Sequence, residues 1–562
     1  MHRHCSIGHF RLEKQSLFAV VIGVQLGTLT TLAEAEPANQ PHTPPAAVSG
    51  LLFNQDESDF FSSHDAATVN GDDIDALIDF YADAGVKTFI CGVNAQRTAY
   101  DSAVWESHWD DYDPEGPDDQ RRLRGILAEE MQSYRTMLDA KVALDRQGVD
   151  YPERVLKRCR ARGMAGWLSV RMNDAHGLES ERSPWPSRFV LENPQLSRVR
   201  YQFFFRADRA LDYAFPEVRE RYRALVEELL TRYDMDGIEL DFCRQPMLFG
   251  IGRELVGSAL LTDWVGEIHD MMEAAAERRG HPIRLGIRVP SEPETSRNLG
   301  LDVMTWVESS WIDLVVMSSG GISMSTCTNM PVRLWRQLLR PYGVSLAGCV
   351  EPSAASCNPA SMVGSQGQSV DPALAVGAAA EILHGGADAV YLFNFFRSAL
   401  IHQPGWTDES IGATFTAMNS IPTLEPLHRR HIVTLRSTVA PGELVARPPI
   451  GRPGESVFVD ASLPAKGKYA SFRLQTGPQP VGRKVQVVLG MHECRQSQIS
   501  IRVNGVPGSL AEREQEGDRL RFDVPPDALA DEAHVIEVYA NLIGGPPFTI
   551  TWVEIDIAGA SS

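Results

Sequence analysis

The sequence predicts a (β/α)8 barrel followed by an antiparallel β-sandwich. Three observations predict it. From residue 48 to about 400, eight short apolar runs alternate with longer helical patterns, the signature of βαβ units around a parallel sheet. No glycine-rich phosphate loop of the dinucleotide or P-loop type follows the first run, which weakens the rival open, doubly wound sheet. After residue 425 the helical period gives way to short, β-branched, alternating runs, as in a sandwich.

The eight predicted barrel strands span 49–54 (SGLLFN), 87–94 (KTFICGVN), 166–173 (GWLSVRMN), 236–242 (DGIELDF), 284–290 (RLGIRVP), 312–319 (IDLVVMSS), 344–351 (VSLAGCVE) and 388–396 (DAVYLFNFF). Helical patterns separate them. DDIDALIDFYADAG opens with aspartates and stops at Gly85, a good termination signal. In the stretch from Pro216, residues Val218, Tyr222, Leu225, Val226 and Leu229 recur at the helical period. Further helices are predicted over 260–280, 332–343 and 372–386. Long insertions at 95–150 and 174–215 leave from strand C-terminal ends, the face on which barrel active sites are built.

Seven runs are predicted for the sandwich, from ESVFVDASL (455–463) to FTITWVEIDI (548–557), with a hairpin turn at Asn504-Gly505. This domain either binds carbohydrate or braces the barrel. The expected organisation is therefore 1–35 export signal, 36–47 proline-rich linker, 48–425 barrel and 426–562 sandwich.

The signal assignment rests on Arg3, Arg11 and Lys14 ahead of an apolar stretch (LFAVVIGVQLGTLTTL), then small residues at Ala33 and Ala35. Gln25 and several threonines make that stretch a poor membrane span, and no other membrane segment is evident. The expected location is periplasmic or extracellular. The alternative is an uncleaved tail or anchor. Eight cysteines scattered over 562 residues form no disulfide framework; one bridge among Cys327, Cys349 and Cys357 is compatible with export. Composition is ordinary for a soluble protein, at 43% apolar and 22% charged. The net charge of -20, with no concentrated basic run, argues against a nucleic-acid partner, which needs clustered lysine and arginine. Composition does not decide the oligomeric state. No CxxC or His-x-x-x-His pair suggests a metal site, and no cofactor is expected.

Alternation orients the strands. In strand four, Ile238, Leu240 and Phe242 share the face toward the helices, so Glu239 and Asp241 point into the barrel. The same phase turns Ser169, Arg171 and Asn173 inward in strand three, Arg288 in strand five and Glu351 at the end of strand seven. Asn394 lies near the end of strand eight. A purely structural barrel interior is filled by branched apolar side chains. Inward charge from four strands therefore suggests chemistry, the alternative being an arginine–carboxylate network that holds the barrel in register. Asp241 and Glu351, at the mouth on roughly opposite sides of the ring, suit the two-carboxyl cleavage of a glycosidic bond, in which one acid protonates the leaving oxygen and the other attacks or activates water. Glu239, one layer deeper, is the second choice on strand four, or a structural partner of an arginine. Arg171, Arg244 and Arg288 would favour the ionised partner.

The segments YDMDGIELDFCRQP, GWLSVRMNDAHG, IRVPSEPETSRNLGLDVMTWV and the CVEP ending strand seven resemble bacterial proteins labelled family-10-like glycosyl hydrolases, over roughly residues 50–400. That resemblance implies a glycosidase barrel with the acid/base residue after strand four and the nucleophile after strand seven. The wider clan usually carries Asn-Glu at the end of strand four, where this chain has Asp241-Phe242.

Asp174, just past strand three, and Glu292 and Glu294, just past strand five, are further acidic candidates. In the first insertion, AVWESHWDDYD offers Trp105, Trp109 and Tyr112 for stacking on sugar faces, or else as anchors of the loop. His108 and His176 are available to hydrogen-bond hydroxyls. The reading is an exported glycoside hydrolase acting on a poly- or oligosaccharide. The alternatives are a carbohydrate-binding barrel without turnover and, third, a lyase or aldolase. That last reading lacks an inward lysine at any strand end.

Overall fold

The computed structural model describes residues 47–560 apart from 179, 181, 201–205, 319–325, 327, 329, 355–367, 435–468, 479, 493–498, 514–518, 530–532 and 541–548. The export signal and nearly all of the linker lie outside the described residues, as does the run ESVFVDASL.

All eight predicted runs form strands: β1 Gly50–Gln55, β2 Thr88–Gly92, β3 Ala165–Arg171, β4 Gly237–Asp241, β5 Arg284–Pro290, β6 Leu314–Ser318, β7 Ser345–Val350 and β8 Ala389–Phe393. They pair in parallel in the order β1-β8-β7-β6-β5-β4-β3-β2, and β1 pairs with both β8 and β2 to close the barrel. Three aspartates on the strand N-terminal side secure it. Asp236 accepts from Gly166 N (2.8 Å), Asp313 from Leu285 N (2.9 Å) and Asp388 from Leu346 N (2.8 Å). Each satisfies an entering backbone donor that the sheet leaves unpaired.

The predicted phase holds. Ile238, Leu240, Phe242, Leu168, Val170, Leu285, Ile287, Leu346 and Val350 pack in the core between strands and helices. Trp167, Ile90, Leu314, Val316, Ala347, Tyr391 and Phe393 form a separate cluster inside the bore. Trp167 fits there because Gly237 and Gly286 face it: a Cβ at either would come within 2.4 and 2.7 Å of the indole.

The helix Gly71–Asp83 is capped by Asn70 in a capping box with Asp73, rather than by the aspartates alone, and Gly85 follows at φ 88°. The helix Pro216–Arg232 buries all five residues of its predicted face. Glu254–Arg279 starts six residues earlier than its periodicity suggests. The first insertion contains a helix, Met131–Arg146.

The C-terminal region forms two antiparallel sheets. One orders Arg429–Ile432, Thr549–Ile557, Val485–His492, Arg519–Val524 and Ser509–Arg513; the other orders Tyr469–Gln475, Ala533–Ala540, Ile499–Val503 and Val506–Pro507. Phe472, Leu474, Val487, Ile501, Phe522, Ile536 and Val553 fill the space between them. Asn504 and Gly505 both take positive φ, 50° and 81°, as a tight hairpin turn requires. The sandwich docks on the barrel helix Pro372–His384 at Gly377, where a Cβ would lie 2.0 Å from Arg430 O. Arg430 clamps the joint through Glu554 (2.6 and 2.7 Å) and Asp371. Cys349 is a free, buried thiol, as are Cys91, Cys159 and Cys243, so Cys349 takes part in no bridge; Cys327 and Cys357 lie outside the described residues. Among the described residues no helix is long and apolar enough to cross a membrane.

Candidate active site

Strand register sets the site. Arg171, Asp241 and Arg288 are direct neighbours across β3, β4 and β5, a row of alternating charge at the C-terminal end of the bore. Glu351 follows β7 directly. Glu239 sits one layer deeper, level with Ser169 and Gly286.

Arg288 joins the two acids singled out from sequence. Its Nη1 donates to Asp241 Oδ2 at 3.1 Å and Oδ1 at 3.3 Å; its Nη2 donates to Glu351 Oε1 at 2.7 Å and Ser318 Oγ at 3.0 Å. The guanidinium lies on the Phe393 ring, 3.8 Å from its centroid. Bridging by one guanidinium keeps the nearest oxygens of the two acids within about 8 Å of each other. Asp241 also accepts from Cys243 N at 2.8 Å. It therefore accepts only, the pattern of an ionised carboxylate. Glu351 differs. Burial pushes its protonation midpoint up, outweighing Arg288 and Arg244, and its Oε2 has no hydrogen-bond partner among the described residues.

Glu239 is fully buried. Its Oε1 accepts from Ser169 Oγ (2.7 Å), Asn54 Nδ2 (2.9 Å) and Tyr391 Oη (2.9 Å), while Oε2 has no hydrogen-bond partner among the described residues. Burial, reinforced by the charge of Asp241, pushes its carboxyl up to about 7.

A cavity of about 710 Å³ opens at this end of the barrel. Asp56, Glu57, Arg171, His176, Arg244 and Asn394 line it. Asp241, Arg288 and Glu351 do not, although Pro352 and Ser353, next in the chain to Glu351, do. The acids are 1% and 2% exposed, so the sequence-predicted pair lies behind the cavity wall rather than on it.

The wall is itself a charge network. Arg171 donates to Asp56 at 2.5 Å and to Asp174 at 3.4 Å. Burial works against ionising Asp56, and Arg171 overcomes it, holding the carboxyl below the usual range. Burial works against ionising Asp174 too, and the hydrogen bond from His176 together with the charge of Arg171 holds it low. Glu57 Oε1 lies 2.9 Å from Lys141 Nζ and 3.0 Å from His108 Nδ1. Lys141 overcomes the burial of Glu57 and keeps it low. Burial, aided by Lys141, depresses His108. Asn394 adopts φ 54° and its Oδ1 accepts from Asp56 N at 3.0 Å.

Several sequence candidates serve the scaffold. Trp105 is buried; its Nε1 donates to Arg221 O at 3.1 Å, and the Arg221 guanidinium sits 4.0 Å over its ring. It anchors the insertion to the helix Pro216–Arg232 and does not stack in the cavity, a correction of the sugar-stacking expectation. Trp109 lines a second, smaller cavity of about 260 Å³ beside Tyr100 and Asp145. Tyr112 is tied to Asp139 at 2.6 Å. Asn173 pins two loops, exchanging hydrogen bonds with Leu211 (2.8 and 3.1 Å) and donating to Met247 O at 3.3 Å. Glu292 and Glu294 stand at the start of the helix Pro293–Asn298 and do not line the cavity. Sequence reasoning missed Asp56 and Glu57. Their signal in the sequence is their place directly after the apolar run of β1. Lys141 carried no signal, because only the folded insertion brings its helix to Glu57. Among the described residues no group of three histidines, cysteines or carboxylates is placed to hold a metal.

No family model matches this chain, and neither does any curated protein. Solved structures resemble it distantly. Alpha-L-fucosidase isoenzyme 2 from Paenibacillus thiaminolyticus aligns with 67% of this chain and 50% of its own, at 12% identity and a TM-score of 0.40. This chain thus spans about half the length of that fucosidase. The PgaB (BpsB) glycoside hydrolase domain from Bordetella bronchiseptica aligns over 66% of this chain and 99% of its own, at 10% identity and TM-score 0.39. The endo-1,4-beta-mannanase from Rhizomucor miehei aligns over 66% and 94%, at 10% identity and TM-score 0.38. At this distance the functional reading rests on the site's own geometry.

Proposed function

We propose that this chain is an exported glycoside hydrolase acting on a poly- or oligosaccharide, with Glu351 as proton donor and Asp241 as the ionised partner. One observation carries the reading. Two carboxyl groups at the C-terminal ends of β4 and β7 are held by the two nitrogens of one arginine, with Glu351 pushed toward its protonated form by burial. One bridging guanidinium caps their oxygen-to-oxygen separation at about 8 Å, which is compatible with the roughly 5–9.5 Å that glycosidase carboxyl pairs span. In the reaction, Glu351 gives its proton to the glycosidic oxygen as the bond to the anomeric carbon breaks. Asp241 either attacks that carbon or takes a proton from the water that does. Water ends as a hydroxyl on the sugar and returns a proton to the pair. These roles reverse the order that the clan resemblance implies. Both acids are buried, so turnover under this reading includes an opening of the cavity wall. The export assignment is supported by the basic-apolar-small pattern of residues 3–35.

Aryl glycosides with good leaving groups test the roles on wild type, Asp241→Asn and Glu351→Gln. Such substrates need no acid, so Glu351→Gln keeps activity on them while losing natural glycans, and Asp241→Asn loses both. The opposite pattern restores the clan order, and activity that survives both substitutions overturns the pair. The burial of both acids favours a second reading, a carbohydrate-binding barrel without turnover. It predicts sugar binding with no hydrolysis by any variant.

A further inference from the structure

Arg171 and Arg244 face the same cavity in different states. Arg171 is paired with both Asp56 and Asp174. Arg244 has no ion pair among the described residues. Its single donated hydrogen bond there runs from Nη2 to His176 Nε2, at 3.1 Å. Its guanidinium carbon lies over the Phe393 ring, 5.5 Å from the centroid. A solvated surface arginine would need no further explanation. Arg244 is not of that kind, because a buried relay aims it. Asp174, with a side chain fully shielded from solvent, places its two oxygens 2.8 and 2.9 Å from His176 Nδ1. That contact puts the proton on Nδ1 and leaves the Nε2 lone pair to accept from Arg244. A buried carboxylate thus orients a histidine that orients a guanidinium, the way supporting groups fix a binding side chain. Burial and the charge of Arg171 work against the charge of Arg244, while Asp174, Asp241 and Asp56 favour it.

Resting on the glycosidase reading for where the sugar sits, we infer that Arg244 is a specificity residue and that the substrate is an acidic glycan whose uronic-acid carboxylate pairs with its free N–H groups. A planar fork matches a carboxylate bidentately. The local carboxylates Asp56 and Asp174 are engaged by Arg171, Glu57 by Lys141 and Asp241 by Arg288, and none of them forms an ion pair with Arg244 among the described residues. The cavity volume is that of a small-ligand site.

The test titrates the full chain with glucuronate, galacturonate, glucose, galactose and galactose 6-sulfate, followed by calorimetry or NMR, for wild type, Arg244→Gln and Arg244→Lys. Uronates bind wild type about 10- to 100-fold tighter than the neutral sugars, the gain of one charged hydrogen-bonded pair. Arg244→Gln erases the difference; Arg244→Lys, which keeps the charge, retains part of it. Turnover is then compared on uronate-containing oligosaccharides and their carboxyl-reduced counterparts. Uronate preference in binding with no turnover by wild type keeps this inference and overturns the glycosidase reading. Hydrolysis with the same acidic-to-neutral ratio in wild type and Arg244→Gln overturns this inference and keeps the glycosidase. Tighter binding of the sulfated sugar than of the uronates overturns the carboxylate assignment.

Discussion

The two ends of the barrel bore are made by the same eight strands with the same inward alternation, yet they are filled in opposite ways. Toward the N-terminal end, Trp167 lies level with Ile90 and packs against Gly237 and Gly286. Toward the C-terminal end stand Arg171, Asp241, Arg288 and Glu351, with Glu239 at the boundary. Apolar filling stabilises a barrel by burial and packing. Buried ion pairs seldom outperform an apolar replacement. The polar end is therefore a cost that the apolar end offsets. The boundary falls inside single strands, two residues apart in β3 between Trp167 and Ser169 and in β4 between Gly237 and Glu239.

The largest expected effect breaks the polar end. Arg288→Met leaves two buried acids without their common partner, which costs about 3–5 kcal/mol in denaturant unfolding and abolishes activity. Adding Asp241→Asn and Glu351→Gln to that variant restores most of the stability and none of the activity. If the single change is neutral for stability, the ionic end is not held as described. Breaking the apolar end separates the two roles: Trp167→Ala costs a comparable ~3–5 kcal/mol through the cavity it leaves, but activity per folded molecule persists.

At the boundary, Glu239 has its carboxyl raised from 4.5 to about 7 in the folded chain. The folded state then holds a proton that the unfolded state has released, so this group's contribution to stability falls as pH rises from about 4.5 to about 7. Glu239→Gln removes that slope, an effect of about 3 kcal/mol across the window. Melting temperature against pH for both proteins measures it, and parallel curves would refute the assignment. The smallest expected effect is Tyr391→Phe. It removes one donor to Glu239, costs about 1 kcal/mol and moves the Glu239 midpoint further up, because that donor favours the ionised form.

The segment DGIELDF shows how far sequence reading reached. Period-two alternation put Glu239 and Asp241 on the inner face, and the bonds of Glu239 to Asn54, Ser169 and Tyr391 across the bore agree. The leading Asp236 had no role in that reading; in the fold it holds the Gly166 N–H of the neighbouring strand. Asp56 and Glu57 were open to the same strand-end argument that found Glu351. Trp105 was ambiguous in sequence because a stacking platform and a loop anchor use the same ring. Only the helix it meets distinguishes them.

The sequence by itself determined the barrel, the sandwich, the strand phases and the inward charge, because those follow from local periodicities of two and 3.6 and from residues adjacent in the chain. The tertiary structure alone decided that Arg288 binds both Asp241 and Glu351, that Lys141 reaches Glu57, and that Arg244 is aimed by Asp174 through His176. Those contacts join residues on different strands and insertions. Their distances and their desolvation come from closing the ring, which no local pattern encodes.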